Sequence, residues 1–149
     1  MTRGALIFAF NNEQTDYLAM ASWSAQRIRR HLNIPVAVVT NDQQRARNLS
    51  FDRIIEADSK TGGTRWFEDY DQTVTWYNAT RANAYQLTPW DHTLVLDADY
   101  VVCSNVLDRL WSYNRDFLCY RYAWDVSTGA MLESLNTFGR LNMPMWWAT

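Results

Sequence analysis

Asp97 and Asp99 stand at positions i and i+2 directly after the strand-like stretch His92–Leu96. Two carboxylates held this close repel, and one pKa is pushed up unless a counter-charge is present. A divalent cation is the usual counter-charge, bound through hard oxygen ligands and able in turn to clamp phosphate oxygens. Strand alternation through Asp97-Ala98-Asp99 predicts that both carboxylates point one way and Ala98 the other. The plainer alternative is a pair of solvated loop acids at a sheet edge. Other chemistries find little footing. Gly62-Gly63 lacks the spacing of a phosphate-binding loop, and no Cys/His pattern suggests zinc. Cys103 and Cys119 read as buried free thiols. His31, near a helix end, reads as a dipole partner rather than a ligand.

The elements that must position these acids follow from hydropathy. Ala5–Phe10 is a continuous apolar run, as in a buried strand, and ends in the polar turn Asn11-Asn12. From Tyr17 to Leu32, the apolar residues Leu18, Ala21, Ala25, Ile28 and Leu32 recur at steps of three and four, one face of a helix. Val36–Val39 is a second buried strand and runs into Asn41-Asp42. Phe51–Ala57 is a weaker strand. Arg65–Tyr77, rich in aromatics, reads as an irregular loop or short helix, and Asn78 as the cap of a helix through Leu87. His92–Leu96 is the clearest strand, Val106–Tyr113 a helix, and Phe117–Tyr122 a further strand with Asp125 just beyond it. Alternating strands and helices give an α/β fold, a mainly parallel sheet flanked by helices. In such sheets ligands collect outside the C-terminal strand ends, where Asn11-Asn12, Asn41-Asp42 and Asp97-Ala98-Asp99 would converge.

Leu94-Val95-Leu96-Asp97-Ala98-Asp99, followed by Val101-Val102 and a helix through Leu110-Trp111, resembles the hallmark stretch of GT-A glycosyltransferases, especially the glycogenin-like and galactosyltransferase group. Upstream, Arg81 in Thr80-Arg81-Ala82-Asn83 stands 16 residues before Asp97, where that family carries an Arg. The opening Phe8–Asn12 stretch and Tyr17 match its base-holding strand, Asn-containing turn and Tyr. The resemblance spans about Ala5 to Trp111 and is strongest from Leu94 to Trp111. It implies a Rossmann-like nucleotide-sugar-binding architecture and transfer of a sugar from a nucleotide-diphospho-sugar, a UDP-sugar above all. The acceptor class (protein, glycan, lipid or nucleic-acid base) stays open. Asp97 would meet ribose and metal, and Asp99 would be the main ligand of Mn²⁺ or Mg²⁺ on the diphosphate. Arg81 would face the sugar or the diphosphate as a catalytic group. Phe8, Ala9, Asn11, Asn12, Tyr17 and Ala98 would line the nucleotide, with Asp42 accepting a hydrogen bond from the base. Plainer roles exist: a surface ion pair for Arg81, a helix-face packing residue for Tyr17 and a turn acid for Asp42. Asp125 is the candidate for a sugar contact, with a solvated turn acid as its alternative.

The chain also departs from that family. A further metal ligand, usually a His from the second half, has no counterpart, because His31 and His92 both precede Asp97. The expected organisation is one domain over 1–149, with a nucleotide-sugar core over 1–126. Residues 127–149 would open an acceptor-side half that is incomplete or supplied by a partner chain. A net charge of −2 argues against a mainly electrostatic nucleic-acid binder. No apolar run approaches the roughly 20 residues of a membrane helix, and the sparse cysteines suggest a cytoplasmic, reducing compartment. Eight Trp, eight Tyr and six Phe fit sugar stacking or simply a core. Two other functions compete: a non-catalytic sugar-nucleotide, glycan-binding or structural domain, and a haloacid-dehalogenase-like phosphatase. The second needs a Lys downstream, whereas Lys60, the only lysine, lies upstream.

Overall fold

The structure is a computed structural model that describes residues 1–60, 63–67, 71–76, 79–113, 115, 116 and 118. Residues 1–111 form one compact unit and 112–149 a second. The expected strand Phe117–Tyr122 apart from Leu118, together with Cys119, Asp125 and the expected division at 126/127, lies outside the described residues.

A strand whose consecutive side chains are all apolar must be covered on both faces. β1 (Arg3–Phe8) and β2 (Val36–Thr40) meet that condition, with every residue from Ala5 to Phe8 and from Val36 to Thr40 buried. With β3 (Arg53–Glu56) and β6 (His92–Asp97) they form a sheet of order β3-β2-β1-β6, in which every neighbouring pair is parallel. The fold is therefore α/β with a parallel sheet flanked by helices, as the alternation of elements anticipates.

Parallel neighbours need a crossover, and α1 (Tyr17–Leu32) supplies the one between β1 and β2. It starts where the Asp16 side chain accepts a hydrogen bond from the Ala19 amide. It ends at Asn33, in the left-handed conformation (φ 52°), whose N–H donates to the Arg29 carbonyl. Leu18, Ala21, Ala25, Ile28 and Leu32 bury their shared stripe against Ala5, Ile7, Val36 and Val38 on one sheet face. Leu94, Ala98, Val102 and Leu107 complete that layer. On the other face, Leu6, Phe8, Ala37 and Val39 are covered by Ala84, Leu87 and Trp90.

α1 also fixes the loop after β6. The buried Ser24 hydroxyl donates to the Tyr100 carbonyl at 2.6 Å, and Arg27 Nε donates to the Val102 carbonyl at 3.2 Å. Ser24→Ala removes the first bond. It should lower unfolding free energy by about 1 kcal/mol in urea titrations, whereas an unchanged midpoint would show that the bond does not tether the loop.

Three segments differ from the sequence expectation. Two stretches, β4 (Gly63–Phe67) and β5 (Gln72–Trp76), pair as antiparallel strands rather than forming a loop or short helix. Thr64, Thr73, Val74 and Thr75 are β-branched and suit extended backbone; the aromatics around them obscure that signal. The stretch after Asn78 is a 3-10 helix (Ala79–Asn83) that tightens into the short α3 (Ala84–Leu87), and Val106–Ser112 is 3-10 rather than α-helical. Cys103 is exposed, not buried, because the chain leaves the core after Val102.

Candidate functional site at the C-terminal strand ends

The strand order places β2 and β3 on one side of β1 and β6 on the other. Successive connections therefore reverse direction at β1, and open α/β sheets bind ligands in the crevice outside such a switch point. Here the register sets Phe8 beside both Val39 and Asp97. Asn11-Asn12, Asn41-Asp42 and Asp97-Ala98-Asp99 consequently leave the sheet along one edge.

Asp97 is the last residue of β6 and faces the same side as Phe8. Its side chain is only 4% exposed. One carboxylate oxygen, Oδ1, is ion-paired with the Arg81 guanidinium, whose side chain is 32% exposed. The other, Oδ2, is buried and has no hydrogen-bond partner among the described residues. Burial pushes the Asp97 pKa above its ordinary value; Arg81 opposes that shift and the charge of Asp99 adds to it. The carboxylate thus carries a desolvation cost that one guanidinium only partly offsets.

Arg81 reaches Asp97 because its 3-10 helix is pinned at Thr80. The buried Thr80 hydroxyl donates to the Asp58 carbonyl at 2.7 Å and accepts from the Lys60 amide at 3.0 Å. Ala79 N–H donates to the Lys60 carbonyl beside it. This segment follows β3, so Thr80 ties Arg81 across the same edge. Nothing in the sequence marks Thr80 out, because a lone Thr before an Arg carries no periodic or spacing signal.

Asp99 is exposed, whereas Asp97 is buried, and strand alternation does not extend to it. The strand stops at Asp97, and the Tyr100 amide donates to the Asp97 carbonyl at 3.1 Å, so residues 97–100 form a turn. Ala98 is buried in the α1-side core layer. The turn separates a buried acid from an exposed one.

The other candidates are mostly committed to the fold. Phe8 and Ala9 are buried, and the Ala9 amide donates to the Val39 carbonyl. Asn11 Oδ1 accepts from the Leu18 amide at 2.9 Å, and Asn12 Oδ1 accepts from the amides of Gln14 and Thr15. Both asparagines therefore organise the turn into α1. Tyr17 packs against the core as the first residue of α1, and Asp42 caps α2 (Gln43–Ala46) by accepting from the Arg45 amide. For Tyr17 and Asp42 these are the plainer roles, core packing on a helix face and a turn acid, and the asparagine and Asp42 turns frame the edge. His31 lies in the last turn of α1; burial, then Arg27 and Arg30, push its pKa down, and its Nε2 is buried without a hydrogen-bond partner among the described residues.

Among the described residues, no three His, Cys, Asp or Glu side chains gather as a metal cluster. A magnesium-like cation does not require one, since it is typically held by one or two carboxylates plus substrate phosphates and water. The partnerless Asp97 Oδ2, with Asp99 close enough to raise its neighbour's pKa, fits that incomplete donor set. An open cleft of about 550 Å³ lies at the opposite edge, lined by Arg3, Leu32, Pro35, Asp108 and Trp111 among others. Its polar groups already serve one another: Arg3 lies over the Trp111 ring, whose Nε1 donates to Asp108. It therefore ranks below the switch-point edge as a ligand site. No helix among the described residues is long and apolar enough to cross a membrane. No family model, curated protein or solved structure matches this chain.

Proposed function

We propose that the edge around Asp97 and Asp99 binds a nucleoside diphosphate with a divalent cation, as the donor site of a glycosyltransferase. The observation that carries this reading is the Asp97 carboxylate, buried at a topological switch point with one oxygen lacking a partner. A buried unsatisfied oxygen is a standing cost that a bound cation would relieve. Asp97 and Asp99 would hold Mn²⁺ or Mg²⁺, and the bound ion would supply positive charge to the diphosphate. Arg81 would add a guanidinium to the same phosphate oxygens. In transfer, the bond from the sugar's anomeric carbon to the diphosphate oxygen breaks and a bond to the acceptor's nucleophile forms. The electron pair leaves with the diphosphate, and the acceptor gives up its proton. Positive charge placed where negative charge develops is what lowers such a barrier. The sequence resemblance to GT-A enzymes supports the choice of a sugar as the transferred group; Asp125, its candidate sugar contact, lies outside the described residues.

Thermal unfolding with UDP, GDP and UDP-glucose, each with and without Mn²⁺, tests this reading. Ligand at about 100 times its dissociation constant adds about 2.7 kcal/mol to stability, a rise of several degrees in a domain of this size. Asp99→Asn, an exposed substitution with little effect on the fold, should abolish the metal-dependent part of that rise. An equal rise in Asp99→Asn would remove Asp99 from the site.

A second reading rests on the Arg81–Asp97 ion pair, which also suits a purely structural clasp between β6 and the 3-10 helix Ala79–Asn83. A non-catalytic domain would use it so. No nucleotide would then raise the unfolding midpoint, with or without Mn²⁺.

A further inference from the structure

Asp97 presents two different oxygens. Oδ1 faces the Arg81 guanidinium, and Oδ2 is buried without a partner among the described residues. Arg81 is the described cation paired with this carboxylate, and it is set apart from the sheet by its backbone. It sits on a 3-10 helix, whose hydrogen-bond geometry is poorer than that of an α-helix, and a third of its side chain meets solvent. Thr80 anchors the backbone beside it, so the guanidinium can turn without the segment letting go.

We infer that Arg81 guards Asp97, competing with a divalent cation for the carboxylate until a diphosphate draws the guanidinium away. This inference rests on the reading of the edge as a diphosphate site. A divalent ion at Asp97 Oδ2 and Asp99 would share Asp97 with Arg81, and two cations on one buried carboxylate repel strongly where water is scarce. An incoming diphosphate offers several oxygens, so Arg81 can leave Asp97 and pair with phosphate as the ion takes its place. A guanidinium suits this exchange, because its planar fork meets carboxylate and phosphate equally well. Cation and diphosphate then bind with positive coupling, and each raises the affinity for the other by the same factor. The preferred ligand is an anion with enough charge to serve two cations at once, a diphosphate rather than a monophosphate.

The test measures Mn²⁺ binding to the full chain, through the paramagnetic signal of free Mn²⁺, with and without UDP. In the wild type, UDP should tighten Mn²⁺ binding by about tenfold or more, within the usual range of coupled sites. Arg81→Gln, which can still donate to Asp97, should bind Mn²⁺ alone about tenfold more tightly than the wild type and lose most of the coupling. Arg81→Lys keeps the charge and provides a second variant should the Gln form fold poorly; it should bind Mn²⁺ alone as weakly as the wild type. A merely structural Arg81 predicts the opposite sign, weaker Mn²⁺ binding in both variants, and that result would overturn the inference. Independent binding of Mn²⁺ and UDP to the wild type would overturn it as well and leave the proposed function standing. No binding of either to the wild type would overturn both.

Discussion

Arg81→Ala should lower the stability of the ligand-free protein by about 3 kcal/mol at pH 7, whereas Asp97→Asn should change it by less than about 1 kcal/mol. The asymmetry follows from which charge is left behind. Without Arg81, the Asp97 carboxylate remains 4% exposed with neither oxygen ion-paired, and a buried unpaired charge is what makes a broken pair costly. Without the Asp97 charge, Arg81 is already one-third exposed and can turn to water. The dependence on pH has a definite sign. Burial raises the Asp97 pKa above 3.8, so the folded state favours the neutral acid. The contribution of Asp97 to stability is therefore greatest below its ordinary value and is lost as pH rises through the raised one. Arg81 opposes the shift, so its removal raises the Asp97 pKa further and moves that loss to higher pH. At about pH 4, close to the ordinary carboxylate value, most of the Arg81→Ala penalty should disappear. Urea unfolding of the two variants across this range checks both statements. A penalty independent of pH would mean that Arg81 acts by packing alone.

Gly4→Ala should cost about 3 kcal/mol, the upper part of the range for overpacked cores. A Cβ at Gly4 would lie 2.4 Å from Trp90 Cε2 and Nε1 and 2.6 Å from Cδ1. These are ring atoms of a rigid side chain packed over the Leu6–Phe8 face, and β1 sits between β2 and β6. Either the indole leaves that face or β1 shifts against β6, and the second outcome disturbs the register that sets Phe8 beside Asp97. Trp90→Ala removes the obstacle. The double variant Gly4→Ala/Trp90→Ala should therefore be no less stable than Trp90→Ala alone, a strongly non-additive cycle. Additive losses would show that Trp90 is not what excludes a side chain at position 4.

The parts of this fold that read directly from the sequence are those where burial and periodicity agree. β1 and β2 are unbroken apolar runs, α1 repeats its apolar residues at steps of three and four, and both end in polar turns with recognisable caps. The parallel order and the convergence of Asn11, Asp42 and Asp97 follow from those elements with little further information. The antiparallel pair β4 and β5 does not read as strands because aromatics suit a helix face, a loop or a strand, and its alternation spans only a few residues. The site itself was half legible. Its acids and Arg81 stood out by type and spacing, but strand alternation wrongly extended through Ala98, since nothing local marks the turn that begins at Asp97. Thr80 and Trp90 act through residues about twenty and eighty-six positions away. Contacts of that range are set by the fold and leave no local trace.

The account centres on one edge of the sheet, and paramagnetic broadening of backbone amide resonances by Mn²⁺ in the presence of UDP tests it most directly. The prediction is selective broadening at Phe10, Asn11 and Asp97 to Tyr100, reduced in Asp99→Asn, with Asn33, Ile34 and Asp108 at the opposite edge left sharp. Broadening centred on Asn33, Ile34 and Asp108, or broadening that Asp99→Asn leaves unchanged, would place the cation elsewhere and contradict the assignment of the β1–β6 switch point as the binding site.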